Sequence, residues 1–166
     1  MSETSEQYIQ RMLALIGEQD PLAVQAQTAG KLSGLIDGLT TAQLTTRPSP
    51  ERWSIAEIVA HFADTELALG WRVRLILAQN GAVLQNVDQD AWAAALDYAH
   101  QDSHVSLNTF RVLRDANLAI LRSLPAQAWD NYGMHEQRGK ETLSHIVRLY
   151  AAHDLNHLAQ IEKIKG

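Results

Sequence analysis

Two histidines four residues apart, His153 and His157, are the residues of this sequence best suited to chemistry. Side chains at positions i and i+4 of a helix share one face, so both imidazoles can reach one ion at zinc–nitrogen distances of about 2.0–2.1 Å. At about 100° per residue, His157 falls inside the apolar stripe of its helix and His153 at the border of that stripe. An inward imidazole needs a partner, because an unpaired polar group in a core is costly. The pair is therefore either hydrogen-bonded packing or part of a metal site.

A metal site would need a third ligand from another helix, since two ligands rarely hold a metal in water. His61 is the candidate, because its long helix can lie beside the helix that carries the pair. The other histidines are weaker candidates, with His100 and His104 expected in solvent at a helix start, His135 in a loop, and His145 pointing away from the pair.

Two carboxylates fall in apolar stripes beside these histidines. Asp154 is expected to face inward and to need a charge partner, because burying an unpaired carboxylate is costly. A hydrogen bond to a metal-bound histidine would meet that need, and an ion pair to Arg72, Arg74 or Arg111 would meet it equally well. Glu66 lies in the stripe of the second long helix, so it is a candidate for a place beside the ligands or for a fourth ligand.

Other side chains near this region have a plainer interpretation. Trp53 precedes the second long helix and is expected to anchor the preceding loop by packing. The polar face of Arg72, Arg74 and Gln79 is expected in water, although any of these residues turned towards a metal could bind an anionic substrate.

Helical periodicity dominates the chain, and no alternating strand pattern is evident. Ser54 and Glu57 form a capping-box pattern, and Asn80-Gly81 supplies a stop. The sequence predicts an all-α fold, an antiparallel four-helix bundle with one or two extra short helices, in one domain over residues 1–166. Residues 1–20 are predicted as a separate N-terminal helix. The predicted helices cover residues 6–16, 22–39, 54–79, 103–124 and 142–164, with a short one over 91–98.

The amino-acid composition of the chain excludes several classes of function. The chain has 166 residues, 46% of them hydrophobic, a formal charge of −5 and no cysteine. Dispersed basic residues and negative charge argue against nucleic acid as a partner. The lack of cysteine excludes disulfides, iron–sulfur clusters and a cysteine nucleophile. A polar N-terminus without a signal-peptide pattern, and no apolar run of roughly 20 residues, predict a cytoplasmic protein without membrane contact.

Two motifs together resemble those of the DinB-like superfamily. They are Trp-Ser-Ile-Ala-Glu-Ile-Val-Ala-His over residues 53–61 and His-Asp-Leu-Asn-His-Leu-Ala-Gln-Ile over residues 153–161. The resemblance implies a four-helix bundle in which His61, His153 and His157 bind a divalent metal, which can be nickel, zinc, iron or manganese. It also implies a possible homodimer, which light scattering would test.

The resemblance leaves two classes of function open. One is a metal-dependent enzyme acting on a small-molecule substrate, either a hydrolase that activates water or a transferase that activates a thiol such as bacillithiol or mycothiol. A thiol would have to come from outside, because the chain has none. The other class is a stress-associated metal-binding or scaffold protein without catalysis, since a coordinating triad does not prove turnover.

Three other chemistries fit poorly. A zinc peptidase of the His-Glu-x-x-His type needs Glu where this chain has Asp154. A carboxylate-bridged di-iron bundle needs Glu-x-x-His, but the nearest spacings, Glu57 to His61 and Glu141 to His145, are one residue too long. No Gly-x-Ser-x-Gly elbow supports a serine nucleophile.

Overall fold

A computed structural model describes residues 4–166 of the protein. Apart from two short 3₁₀ turns, at Tyr98–His100 and Ala126–Asp130, the regular structure consists of seven α-helices and three β-strands in this part of the chain. The helices are α1 (Ser5–Ile16), α2 (Pro21–Ile36), α3 (Thr41–Thr45), α4 (Ile55–Ala78), α5 (Gln89–Ala95), α6 (Ser103–Arg122) and α7 (Leu143–Lys165). The strands are β1 (Ala82–Leu84), β2 (Tyr132–His135) and β3 (Gly139–Thr142).

The start of α4 follows from a local capping signal. The Ser54 hydroxyl accepts a hydrogen bond from the Glu57 amide, and the Glu57 carboxylate accepts one from the Ser54 amide at 2.8 Å. These bonds satisfy backbone donors that a helix start leaves free. Beyond the end of α4, Gly81 adopts a φ of +85°, which glycine tolerates best. The predicted capping box is confirmed.

The four longest helices, α2, α4, α6 and α7, form the bundle. Each packs against two others, with α4 touching α6 and α7, and α2 touching the same two helices. Between them lies a buried apolar core that includes Phe62, Phe110 and Leu158. The predicted four-helix bundle is therefore confirmed.

The N-terminal helix α1 packs on α7. Its Met12 and Ile16 are fully buried against Ala151 and Ala152. The helix ends at Ile16 and is capped by Gly17, inside the segment predicted as a separate N-terminal helix. Residues 1–3 of that segment lie outside the described part. This packing places α1 alongside the helix that carries His153 and His157.

A small sheet departs from the sequence prediction, which contained no strands. Its order is β1-β2-β3, with β1 parallel to β2 and β2 antiparallel to β3. Gly133 permits the close approach of β1 and β2, because a Cβ there would lie 2.5 Å from the side chain of Leu84. Since β1 follows α4 and β3 precedes α7, the sheet brings the end of α4 and the start of α7 to the same end of the bundle.

Within residues 4–166, no helix combines the length and apolar content that a bilayer crossing requires.

Candidate metal centre

Three imidazoles from two neighbouring helices converge at one point. His61 lies in the second turn of α4, and His153 and His157 lie one turn apart on α7. One ring nitrogen from each residue falls within 4.8 Å of the other two. The Nε2 atoms of His61 and His153 are 2.9 Å apart, and the ring centroids of His61 and His157 are 4.9 Å apart. The structure thus brings together the three histidines that the sequence motifs single out.

The surroundings of the three rings are largely aromatic and apolar. The Phe62 ring centroid lies 5.8 Å from that of His157, and the Trp53 ring lies 4.9 Å from His61. His61 and His157 retain exposed fractions of only 5% and 7%. Trp53 was predicted only to anchor the preceding loop, but its ring also forms a wall of the histidine cluster.

Burial keeps these imidazoles neutral. Desolvation, together with the nearby His157, lowers the pKa of His61 to about 3. Desolvation likewise lowers the pKa of His157 to about 4 and the pKa of His153 well below its ordinary value. A metal ion binds the neutral imidazole, so the cluster is already in its ligating form at neutral pH.

Hydrogen bonds orient the rings to different degrees. The Oε1 atom of Gln160 lies 2.8 Å from His157 Nδ1, which fits an N–H donated to Gln160 and leaves Nε2 facing the cluster. Thr65 Oγ1 lies 3.4 Å from His61 Nδ1 and 3.3 Å from its Nε2. In the described chain, the buried Nδ1 of His153 has no hydrogen-bond partner.

The donor set fits a divalent transition metal. Three neutral nitrogens suit zinc, nickel or iron better than magnesium or calcium, which prefer oxygen ligands. Nitrogens that share one ion at about 2.0–2.1 Å lie roughly 3–3.5 Å from each other, so the observed separations require only small ring movements. Among residues 4–166, this group contains three ligands and no carboxylate. A tetrahedral ion held there would keep a position open.

Of the two kinds of partner predicted for Asp154, a metal-bound histidine or an arginine, the structure shows an arginine. The Asp154 carboxylate accepts from Thr28 Oγ1 at 2.8 Å and pairs with Arg114 at 2.6 Å. Arg114 is none of the three arginines proposed as its partner. It lies on α6 four residues after Phe110, so it falls in the apolar stripe of that helix. A charged residue within an apolar stripe is the sequence signal from which a buried Arg114 could have been predicted.

Glu66 belongs to the same buried network and not to the histidine cluster. Its Oε2 lies 2.8 Å from a guanidinium nitrogen of Arg114, and its Oε1 accepts from Asn117 Nδ2 at 2.7 Å. With both oxygens engaged in the bundle core, Glu66 does not supply a fourth ligand. Glu66 is not among the residues whose ligand atoms converge with the three histidines.

A cavity of about 380 Å³ opens beside His61 and His153. Arg72, which was expected in water, is buried in its wall with an exposed fraction of 8%. Its guanidinium donates to the Tyr150 hydroxyl at 2.9 Å and to the Gln85 carbonyl at 2.8 Å. Arg72 sits between Leu69 and Ile76 in the stripe of α4, which explains why it turns inward.

The remaining histidines lie away from this site. His100 and His104 are exposed, as predicted, and His145 is half-buried at the start of α7. His135 was expected in a loop, but it lies in β2 with an exposed fraction of 2%. Burial lowers the pKa of its imidazole.

Comparison with known proteins agrees with the order and spacing of these residues. A sequence profile described as the DinB superfamily matches residues 26–161, which include all three histidines. The chain belongs to the DinB superfamily. The match confirms the resemblance drawn from the motifs around His61 and His157.

Two curated relatives of this DinB superfamily chain carry the name "Putative metal-dependent hydrolase". YfiT of Bacillus subtilis is 27% identical over 145 residues, which are 86% of this chain and 81% of YfiT. A protein of Oceanobacillus iheyensis is 24% identical over 133 residues, which are 80% of this chain and 77% of that protein.

The solved structure of YfiT, described as a four-helix bundle of unusual topology, is similar in fold. It aligns with a TM-score of 0.83 at 24% identity and covers 99% of this chain and 89% of that one.

Proposed function

We propose that this protein is a divalent-metal-dependent hydrolase in which His61, His153 and His157 hold the ion. The convergence of their three ring nitrogens within 4.8 Å carries the proposal. The names of the curated relatives support the hydrolase class. Access from a cavity that borders two of the three histidines supports catalysis over a closed structural site.

The ion would supply one kind of chemistry. When bound by three neutral imidazoles, a divalent metal acts as a Lewis acid and lowers the pKa of a water molecule or thiol in its open position.

The protein's own residues prepare that site before any ion arrives. Burial holds the imidazoles neutral, so metal binding at neutral pH displaces few protons from the site. Gln160 fixes the ring of His157 with Nε2 directed inward. Phe62 and Trp53 exclude water from the sides of the cluster, which strengthens electrostatic interactions within it.

A thiol-dependent transferase remains the second version of this proposal. The same three-histidine site would bind an external thiol as thiolate, and the absence of cysteine leaves no competing thiol in the chain. Added thiol separates the two versions, because a hydrolase consumes a 4-nitrophenyl ester without it. A transferase consumes an electrophile such as 1-chloro-2,4-dinitrobenzene only when a thiol is present.

Elemental analysis of the purified protein tests the metal site itself. We expect about one divalent ion per chain in the wild type and its loss in His157→Ala. His145→Ala is the matched control, because it removes a histidine of the same helix outside the cluster. A wild type that retains no stoichiometric metal, or a His157→Ala variant that retains it fully, would refute the proposal.

An activity assay then distinguishes an enzyme from a non-catalytic metal-binding or scaffold protein. We expect the protein to hydrolyse short 4-nitrophenyl esters. This activity should disappear with chelator, return with added metal and be absent in His157→Ala. A metal-loaded protein that accelerates neither ester hydrolysis nor thiol transfer would favour the non-catalytic metal-binding role.

A further inference from the structure

The guanidinium of Arg72 is buried without a negative partner. Its two hydrogen bonds go to neutral acceptors, the Tyr150 hydroxyl and the Gln85 carbonyl. No carboxylate of residues 4–166 forms an ion pair with it. By contrast Arg114, which is also buried, is balanced by two carboxylates.

A buried charge of this kind calls for a counter-charge. Removing an arginine from water is costly unless an anion and hydrogen bonds compensate for the lost solvation. The guanidinium carries five N–H donors in a rigid fork, and the two bonds described above use only part of that capacity. Arg72 lines the same cavity as His61 and His153, so a molecule that enters the cavity can supply the missing anion.

The charged side chains around the cavity determine how many negative charges that anion should carry. The other arginine in the cavity wall, Arg138, is already paired through two nitrogens with Glu141 at 2.7 and 3.0 Å. In the metal-free protein, one positive charge therefore remains to be balanced. The planar fork of an arginine matches a carboxylate, which carries one negative charge and accepts two parallel hydrogen bonds.

Tyr150 offers the anion a second hydrogen-bond donor beside Arg72. Its hydroxyl oxygen accepts from Arg72, which leaves its own hydrogen free to donate to a ligand. Burial raises the pKa of Tyr150, so this hydroxyl stays protonated at neutral pH. The Tyr150 ring lies 6.4 Å from the ring of His153, which places the pair next to the histidine cluster.

We propose that Arg72 and Tyr150 bind the carboxylate of a small monoanionic substrate and so hold its reacting group beside the three histidines. The role as a substrate site rests on the proposed function, whereas the binding of a carboxylate does not. A cavity of about 380 Å³ suits a small molecule.

Binding to the metal-free protein tests this inference without any contribution from a metal. Acetate, butyrate and benzoate are each titrated by NMR, together with acetamide, butyramide and benzamide as neutral counterparts of similar shape. We expect at least one acid to bind saturably and its amide to bind at least tenfold more weakly, because the amide lacks the charge.

Two arginines of the same helix provide the matched variants. Arg72→Gln is expected to weaken binding of the acid at least tenfold. Arg74→Gln is expected to leave it unchanged, because Arg74 is exposed and bonds Asn117 outside the cavity. Tyr150→Phe provides a second variant, should Arg72→Gln fail to fold, and is expected to weaken binding severalfold.

Three outcomes would overturn the inference. They are the absence of saturable binding by all three acids, equal binding of acid and amide, and unchanged binding in both cavity variants. Metal content is measured on each protein as purified, before the metal is removed for the titrations, and Arg72→Gln is expected to retain it. A wild type that holds its metal but binds none of the three acids refutes only this inference, whereas a wild type without metal that shows Arg72-dependent binding refutes only the proposed function.

Discussion

Acid should destabilise the metal-free protein well before its carboxylates titrate. The reason is that His61 and His157 are neutral in the folded protein, with pKa values of about 3 and about 4. In the unfolded chain a histidine has a pKa of about 6.5. Between these values the unfolded chain binds protons that the folded protein excludes, so acid favours unfolding.

The size of the effect follows from these two pKa values. Full stability is present above pH 6.5 and is lost as the pH falls towards the folded-state pKa values. A proton bound only by the unfolded chain lowers the free energy of unfolding by about 1.4 kcal/mol per pH unit. From pH 7 to pH 5 each of the two histidines costs about 2 kcal/mol, or about 4 kcal/mol together. This loss is large for a domain whose total stability is typically about 5–15 kcal/mol. The lowered pKa values of His153 and His135 act in the same direction.

Urea unfolding of chelator-treated protein at pH 7 and pH 5 measures this loss. His61→Gln and His157→Gln replace a titrating ring with a neutral amide, so each should reduce the pH-dependent loss by about 2 kcal/mol. His104→Gln is the surface control and should behave as the wild type, because His104 is exposed. A divalent metal at about 100 times its dissociation constant should add about 3 kcal/mol at pH 7.

A small loss in the wild type would refute the reasoning. If metal-free protein loses less than about 1 kcal/mol between pH 7 and pH 5, the rings are not buried as neutral groups. An equal loss in the wild type and in both glutamine variants would assign the acid sensitivity to other residues.

Three further predictions concern the network, the sheet and the ligand orientation. Arg114→Met leaves two buried carboxylates without a counter-charge and should cost about 3–5 kcal/mol in urea unfolding at pH 7. Gly133→Ala places a Cβ 2.5 Å from Leu84 and should lower the free energy of unfolding by about 1–3 kcal/mol. An unchanged free energy of unfolding would show that β1 and β2 move apart without cost. Gln160→Leu removes the acceptor of His157 and should lower metal affinity about 10–100-fold by competition with a chelator. Unchanged affinity would show that this bond does not orient the ring.

Local signals of the sequence were sufficient for the long helices and for the candidate metal ligands. Periodicity and capping depend on residues three or four positions apart, so α4 and α7 were predicted to within about two residues of their ends. The i, i+4 spacing of His153 and His157 placed both rings on one face for the same reason. His61 was the third candidate because it lies on a long helix, and the resemblance of its motif supported that choice.

Contacts between helices could not be read from the same signals. The stripe of α6 shows that Arg114 faces inward, but its pairing with Asp154 and Glu66 depends on how α6 packs against α4 and α7. The stripe of α4 likewise indicates that Arg72 faces inward, but its hydrogen bonds join residues that are distant in sequence.

The small sheet shows the same limit most clearly. Its strands have three or four residues each, and β3 reads Gly-Lys-Glu-Thr, so none carries an alternating apolar pattern. They pair only in the tertiary structure, where β1, which follows α4, lies beside β2, which precedes β3 and α7.

The sequence by itself thus determined the helices and which residues could bind a metal, because both depend on neighbours along the chain. Only the tertiary structure decided that the three rings meet, which charges balance each other and which arginine is left unbalanced beside the site. Those features depend on the distance and rotation between helices, which no local pattern specifies.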